Sequence, residues 1–150
     1  MDNEVMGDTT SLKDIPPACL AMRVRKASRV LTRHYEEALR PLGLTAAQFT
    51  LLVHLVEGAG RSISFLAEVM RVDRTTLTRN LRILERAGLA AVGTEGFRRQ
   101  RPIEITPAGR DVLERGLPLW DEAQSAVERH LGGDRDEARR LLERLADLGP

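Results

Sequence analysis

The chain has 150 residues, enough for one domain with a sizeable core, and its 42% hydrophobic and 30% charged composition is that of a soluble globular protein rather than a disordered one. No apolar run approaches about 18 residues and no charged-then-apolar leader is present, so a membrane span and an export signal are not expected and the cytoplasm is the expected compartment. A single cysteine, Cys19, excludes an internal disulfide framework, and the near balance of 23 basic against 22 acidic side chains conceals a local asymmetry described below.

Residues 1–15 are polar and aperiodic and read as a disordered tail. The first helix is expected to open at Pro17, which suits a first helical turn, and to run to Arg40, where Pro41 and Gly43 stop it. Leu20, Val24, Ala27, Leu31 and Leu39 fall on or near one stripe of that helix.

Further on, a short helical pattern from Ser64 to Met70 is followed by a tight Val72-Asp73 break and a second helix from Arg74 to Gly88. Asp73 is a good N-cap and Gly88 a natural C-terminal stop. Leu77, Leu81 and Leu84 recur at i, i+4 and i+7 and must pack inward. The opposite face holds Thr75, Arg79, Arg82 and Arg86, with Arg74 opening the helix and Thr76 and Thr78 on the flanks. Arginine forks pair bidentately with guanine edges or grip phosphates, and threonine offers a hydroxyl and a methyl, so this set suits groove recognition.

A hairpin should follow, with strands Leu89 to Val92 and Pro102 to Thr106 flanking a glycine-containing tip. Ile103 and Ile105 alternate with polar neighbours, as in a half-buried strand, and Pro102 must lie at a strand end or edge. Arg98, Arg99 and Arg101 would project from the tip, where a narrow minor groove could receive one of them. Residues 71–101 contain eight arginines against three acids, a local net of +5, whereas the whole chain is only +1. Charge concentrated in this way is the footprint of polyanion binding.

Thr106 caps a long helix with Pro107 in its first turn, and Leu113, Leu117, Trp120, Val127 and Leu131 mark its apolar side. Pro118 should kink or break it. A last helix begins near Asp134, with Ala138, Leu141, Leu142, Leu145 and Leu148 apolar. The outer helices carry more apolar surface than a small central module can cover, so a symmetric dimer is expected. Lys13 and Lys26 are the only lysines, which leaves phosphate and base contacts to arginine.

These residues resemble the MarR-type winged helix-turn-helix regulators of bacteria and archaea. The matching segments are Leu44 to Leu55, Leu66 to Leu89, Phe97 to Thr106 and Thr106 to Glu114, in order and at the family's spacing, within a resemblance covering residues 18–148. One departure lies in the wing, where Phe97 replaces the family's usual aspartate before Arg98 and Arg99. The resemblance implies a mainly α fold with a small β-wing, dimerised through its terminal helices. Residues 16–43 and 107–150 would then be dimerisation helices around a DNA-binding module at 44–106. It further implies a homodimeric regulator of transcription, a repressor on a palindromic operator in double-stranded DNA, with half-sites about one helical turn apart. The alternative is a winged helix used as a protein-interaction surface, for which positions 75, 79, 82 and 86 offer no apolar anchor.

Regulators of this family commonly respond to small aromatic or phenolic anions or to thiol oxidation. Cys19 would sit in the first turn of the first helix with Arg23 one turn on, and Cys19 to Leu39 resembles the N-terminal helix of the peroxide-sensing OhrR branch. Tyr35 falls on a tyrosine position of that branch, while Cys19 stands two residues early and Arg25 replaces another tyrosine. Arg23, His34, Tyr35, Gln48 and His54 are the candidates for a ligand pocket. His34, His54 and His130 are too dispersed to make a metal motif, and neither a phosphate-binding glycine loop nor a nucleophile with an evident base is present, so no cofactor, metal or catalysis is expected.

Overall fold

Two prolines shape the start of the chain. The computed structural model describes residues 11–57, 60–93 and 102–148, and the chain divides into two units, Met1–His34 and Tyr35–Pro150. In the first unit the expected single helix is interrupted: α1 covers only Ile15–Ala18, Cys19 is extended with ψ 107°, and α2 then runs Leu20–Leu39 across the unit boundary. Pro16 and Pro17 have no backbone N–H and suit only a helix's first turn, so the chain makes one turn and starts again. The Pro17 carbonyl accepts from Arg23 Nε at 3.1 Å and Nη2 at 2.6 Å, and the Cys19 carbonyl accepts from the Arg23 amide at 3.3 Å, beginning the α2 ladder.

In the second unit, a 3-10 turn at Arg40–Leu42 closes on Gly43, whose φ of 68° is natural for glycine. Helix α3 (Ala46–Glu57) opens with a reciprocal capping box in which Gln48 N donates to Thr45 Oγ1 and Thr45 N donates to Gln48 Oε1, at 3.2 and 3.1 Å. Helix α4 (Ile63–Val69) is capped by Ser62 and α5 (Arg74–Arg86) by Asp73. Strands β1 (Ala90–Val92) and β2 (Ile103–Ile105) pair antiparallel, with Ala90 opposite Ile105 and Val92 opposite Ile103, and Arg61 bridges to Ile103 on the far side. Pro102 stands just before β2, where its carbonyl accepts from Gly93 N at 2.8 Å. One core joins these pieces: Leu51, Leu52 and Leu55 of α3, Leu66 of α4, Leu77, Leu81 and Leu84 of α5, and Ile103 and Ile105 of β2.

Helix α6 (Pro107–Leu131) runs through Pro118 unbroken, so of the kink or break expected there the break does not occur. Pro118 is exposed, so the carbonyl it leaves unpaired can be hydrated, while packing on either side keeps the helix whole. That packing depends on Gly109, Gly116 and Ala123, buried at seven-residue intervals. A Cβ on Gly116 would come within 2.5 Å of Phe49 Cε2, and one on Gly109 would collide with the Leu89 carbonyl oxygen. Helix α7 (Arg135–Ala146) follows a 3-10 turn, and Arg135 and Arg139 hold Glu128 of α6 at 3.2 and 2.7 Å. Leu117, Trp120, Leu141, Leu142 and Leu145 are exposed on α6 and α7, and Leu20, Met22, Val24 and Val30 on α2. Among the described residues no single helix is long and apolar enough to cross a membrane.

Because the obstacle at Gly109 is backbone, Gly109→Ala should cost about 3 kcal/mol, the upper part of the overpacking range. At Gly133, where an added Cβ meets nothing within 4 Å, alanine should change stability by less than about 0.5 kcal/mol. Denaturant midpoints of the two variants check both values.

Candidate nucleic-acid interface

Helix α5 is oriented by its buried side. Leu77, Leu81 and Leu84 are at most 3% exposed, and each buried leucine contributes roughly 1.5–3 kcal/mol, so the helix cannot rotate without uncovering the stripe. The opposite side is therefore fixed outward. Arg74, Thr75, Thr78, Arg79, Arg82, Ile83 and Arg86 line one continuous concave surface there. Four arginines elsewhere among the described residues find carboxylates: Arg40 with Glu37 at 2.9 Å, Arg71 with Asp147 at 3.4 Å, and Arg135 and Arg139 with Glu128 at 3.2 and 2.7 Å. Among the described residues, none forms an ion pair with Arg74, Arg79, Arg82 or Arg86.

The threonines divide. Thr76 is absent from the concave surface because it completes the cap: its amide donates to Asp73 Oδ1 at 2.8 Å and its hydroxyl to Asp73 Oδ2 at 2.5 Å. Thr78 lines the surface, but its hydroxyl donates to the Arg74 carbonyl at 2.7 Å, leaving oxygen lone pairs and a methyl to face outward. Thr75 has no such local bond among the described residues and is exposed. Ile83, 41% exposed among the arginines, was not singled out from the sequence because it lies beside the leucine stripe and reads as part of it. An exposed β-branched residue on an otherwise basic face was the signal available.

The ribbon begins next to α5. Thr106 ties its base together, donating to the Gly88 carbonyl at 2.6 Å and accepting from Gly109 N at 3.0 Å, so the end of α5, the end of β2 and the start of α6 share one hydroxyl. Arg98, Arg99 and Arg101, together with Phe97, lie outside the described residues.

Of the residues proposed from sequence for a ligand pocket, Arg23 and His34 belong to the first unit and Tyr35, Gln48 and His54 to the second. Gln48 is consumed by the capping box of α3. Tyr35 donates to Gln124 Oε1 at 2.5 Å, and Gln124 Nε2 in turn donates to Glu128. Burial, and then the Glu128 charge, raise the Tyr35 pKa above the ordinary phenol value. His54 lies 3.9 Å from Glu57, Arg23 is bonded to Pro17, and His34 is exposed on α2 in the other unit. Cys19 is half-buried at the break between α1 and α2, so it precedes the first turn of α2 and does not lie inside it. A groove does exist between α3 and α6, lined by Phe49, Val53, Val56, Leu113 and Leu117 with Glu57, Arg110 and Glu114 at its polar positions. None of the sequence candidates lines it. Arg110 one turn before Leu113, with Leu117 one turn after, was the legible clue.

Comparison with known proteins places this architecture. The family model described as MarR family matches residues 42–100. The HTH-type transcriptional repressor Rv2887 of Mycobacterium tuberculosis is 32% identical over 134 residues, which is 88% of this chain and 94% of the repressor. This chain belongs to the MarR family. Among solved structures, the transcriptional regulator MosR of M. tuberculosis superposes with TM-score 0.78 at 38% identity, covering 87% of this chain and 95% of that one, and MosR has also been solved with DNA. Rv2887 in complex with salicylic acid aligns with TM-score 0.65 at 31% identity over 85% of this chain and 96% of its own. These matches are to the MarR family as a whole and do not single out its peroxide-sensing branch. They agree with the mainly helical fold and small β-wing expected from sequence.

Within this MarR-family module the cap of α5 has a pH consequence. The Thr76 hydroxyl, then the Thr76 amide, hold the Asp73 carboxyl below the usual carboxylate range. A depressed carboxyl stabilises the fold above its unfolded pKa, and that contribution is lost as pH falls through the folded value. Thermal melts from about pH 5 down to about pH 2 should therefore decline more steeply for the native chain than for Asp73→Asn, which keeps a capping oxygen but has no charge to lose. Parallel slopes would remove Asp73 from the acid response.

Proposed function

We propose that this MarR-family protein is a transcriptional repressor that binds double-stranded DNA as a homodimer and is released by a small aromatic acid. The observation that carries the reading is the face of α5, where four arginines point outward without carboxylate partners among the described residues while the reverse face is locked into the core. Unpaired guanidinium groups on a rod of helical width fit the major groove, where they can reach guanine O6 and N7 or the phosphates beside them. The DNA complexes known for MosR and for the repressor CouR, the latter bound to a 23-mer duplex at 26% identity, support duplex DNA as the partner.

Arg79 and Arg82, near the centre of the face, are assigned to base edges. Arg74, Thr75 and Thr78 at the leading turn and Arg86 at the trailing end take the backbone, while Thr76 acts through the cap. Arg98, Arg99 and Arg101 are assigned to the wing contact with the minor groove. The module at 44–106 reads DNA, and residues 16–43 and 107–150 carry the dimer. The exposed apolar side chains of α2, α6 and α7 support that division, since a second copy is the cover that also places two α5 helices on a palindrome. The family consists of transcriptional regulators, and no catalytic role or cofactor is assigned to this chain, which acts in the cytoplasm.

The effector is assigned to the groove between α3 and α6. Phe49, Val53, Leu113 and Leu117 provide an apolar slot for an aromatic ring, and Arg110 provides a charge-assisted donor for its carboxylate. Salicylic acid bound to Rv2887 supports this class of ligand.

Two measurements test the assignment. With a palindromic duplex selected from a random pool, Arg79→Ala or Arg82→Ala should weaken binding by about 1–3 kcal/mol and relax base preference at one position per half-site. A loss equal on all sequences would transfer that arginine to phosphate, and a native protein that binds no duplex at low ionic strength would end the reading. Separately, Arg110→Gln should weaken salicylate binding about tenfold by calorimetry, the size of one charge-assisted hydrogen bond. Unchanged affinity would move the effector elsewhere.

A further inference from the structure

The turn joining α4 to α5 contains an anomaly. Both helices end in the same hydrogen-bonded motif. After α5, Gly88 N donates to the Glu85 carbonyl and Leu89 N to the Leu84 carbonyl; after α4, Arg71 N donates to the Glu68 carbonyl and Val72 N to the Ala67 carbonyl. This geometry places one residue in the left-handed region, where a side chain is strained and glycine is usual. At the end of α5 that residue is Gly88, with φ 72°. At the end of α4 it is Arg71, with φ 49°, the one non-glycine residue with positive φ among those described. The same motif thus uses glycine after one helix and arginine after the other, and glycine would relieve the strain that arginine bears there.

That side chain has one partner among the described residues. Arg71 Nη2 lies 3.4 Å from Asp147 Oδ1, both side chains being largely exposed. Asp147 is itself oddly placed. It is the C-cap of α7, where the helix dipole disfavours an anion and favours a cation. Two residues, each of a type disfavoured at its own position, meet across 76 positions of sequence, and a solvated pair of this kind adds little stability.

We propose that Arg71 is a DNA-backbone contact and that Asp147 competes with phosphate for it. The inference rests on the DNA-binding reading above. Arg71 lies two residues before the N-cap of α5, on the turn that leads into the helix assigned to the major groove. The leading end of such a helix enters the groove first, so this turn comes to the groove edge, where phosphates line the rim. A guanidinium held there by a lone, exposed carboxylate is released by exchanging one anion for another. The C-terminal helix thereby sets a threshold on DNA binding, and any movement of Asp147 away from the turn raises affinity.

The test is a cycle of full-length proteins titrated with the selected duplex at several salt concentrations. Arg71→Gly removes the guanidinium and the backbone strain together, so it should melt no lower than the native protein yet bind DNA about 3- to 10-fold more weakly, with a salt slope shallower by about 1. Asp147→Asn should bind about 2- to 5-fold more tightly, in line with a solvated ion pair, and that gain should vanish in the Arg71→Gly background. Equal binding by Arg71→Gly and the native protein overturns the contact. A gain from Asp147→Asn that persists without Arg71 overturns the competition and leaves general repulsion of DNA by the carboxylate. If the native protein binds no duplex, both this inference and the reading beneath it fall, whereas native binding with a flat cycle sinks the inference alone.

Discussion

The burial of one side of α5 is the constraint on which the rest of the molecule depends. Leu77, Leu81 and Leu84 meet Leu52 and Leu55 of α3, Leu66 of α4 and Ile103 of β2 in a single core. A helix of 13 residues would be marginal in isolation, so packing both stabilises it and decides which way its polar side faces. The arginines are not positioned by their own interactions, since those on the outward face lack carboxylate partners among the described residues. They are positioned by the leucines behind them. A binding surface so made is rigid at its base and adaptable at its tips, which suits groups that exchange water for phosphate or base edges.

The second device is the close approach of α6 to the module. Gly109 and Gly116 have no side chains because Leu89, Phe49 and Leu42 occupy that space, and Thr106 closes the same corner by bonding to both Gly88 and Gly109. The end of α5, the base of the ribbon and the root of α6 are thus joined through one hydroxyl. The groove beside Phe49 and Leu113 lies along the same approach, where Gly116 of α6 meets Phe49 of α3. Arg71 and Asp147 form a second, polar link between the C-terminal helix and the module, one that salt and DNA can both displace.

Local signals are legible in the sequence where they are strong. Asp73 as N-cap, Gly88 as stop, the leucine stripe of α5, the Ile103 and Ile105 alternation and the Thr106 cap all stand in the structure as periodicity and capping chemistry imply. Local signals decide less where a residue has two compatible uses. Pro17 suits the first turn of a long helix and equally the single turn of a short one, and the chain takes the second course, with Arg23 bonded to the Pro17 carbonyl at the break. Gln48 reads as a polar group for a pocket and is also the fourth residue of a capping box, the use its hydrogen bonds show. Pro118 is compatible with a kink or a break, and on the exposed side of a helix anchored at both ends it does not break it.

Residue order alone was sufficient for the class of fold, the identity of the basic helix and the concentration of its charge, because helical period, caps and net charge are properties of neighbours in sequence. Three things required the folded chain: that Ile83 joins the arginines, that Arg110 shares a groove with Phe49, and that Arg71 adopts a glycine conformation opposite Asp147. Each is a meeting of side chains, or a backbone angle, set by how helices pack. Such packing is decided by the sum of many weak contacts across the core, which no short stretch of sequence carries.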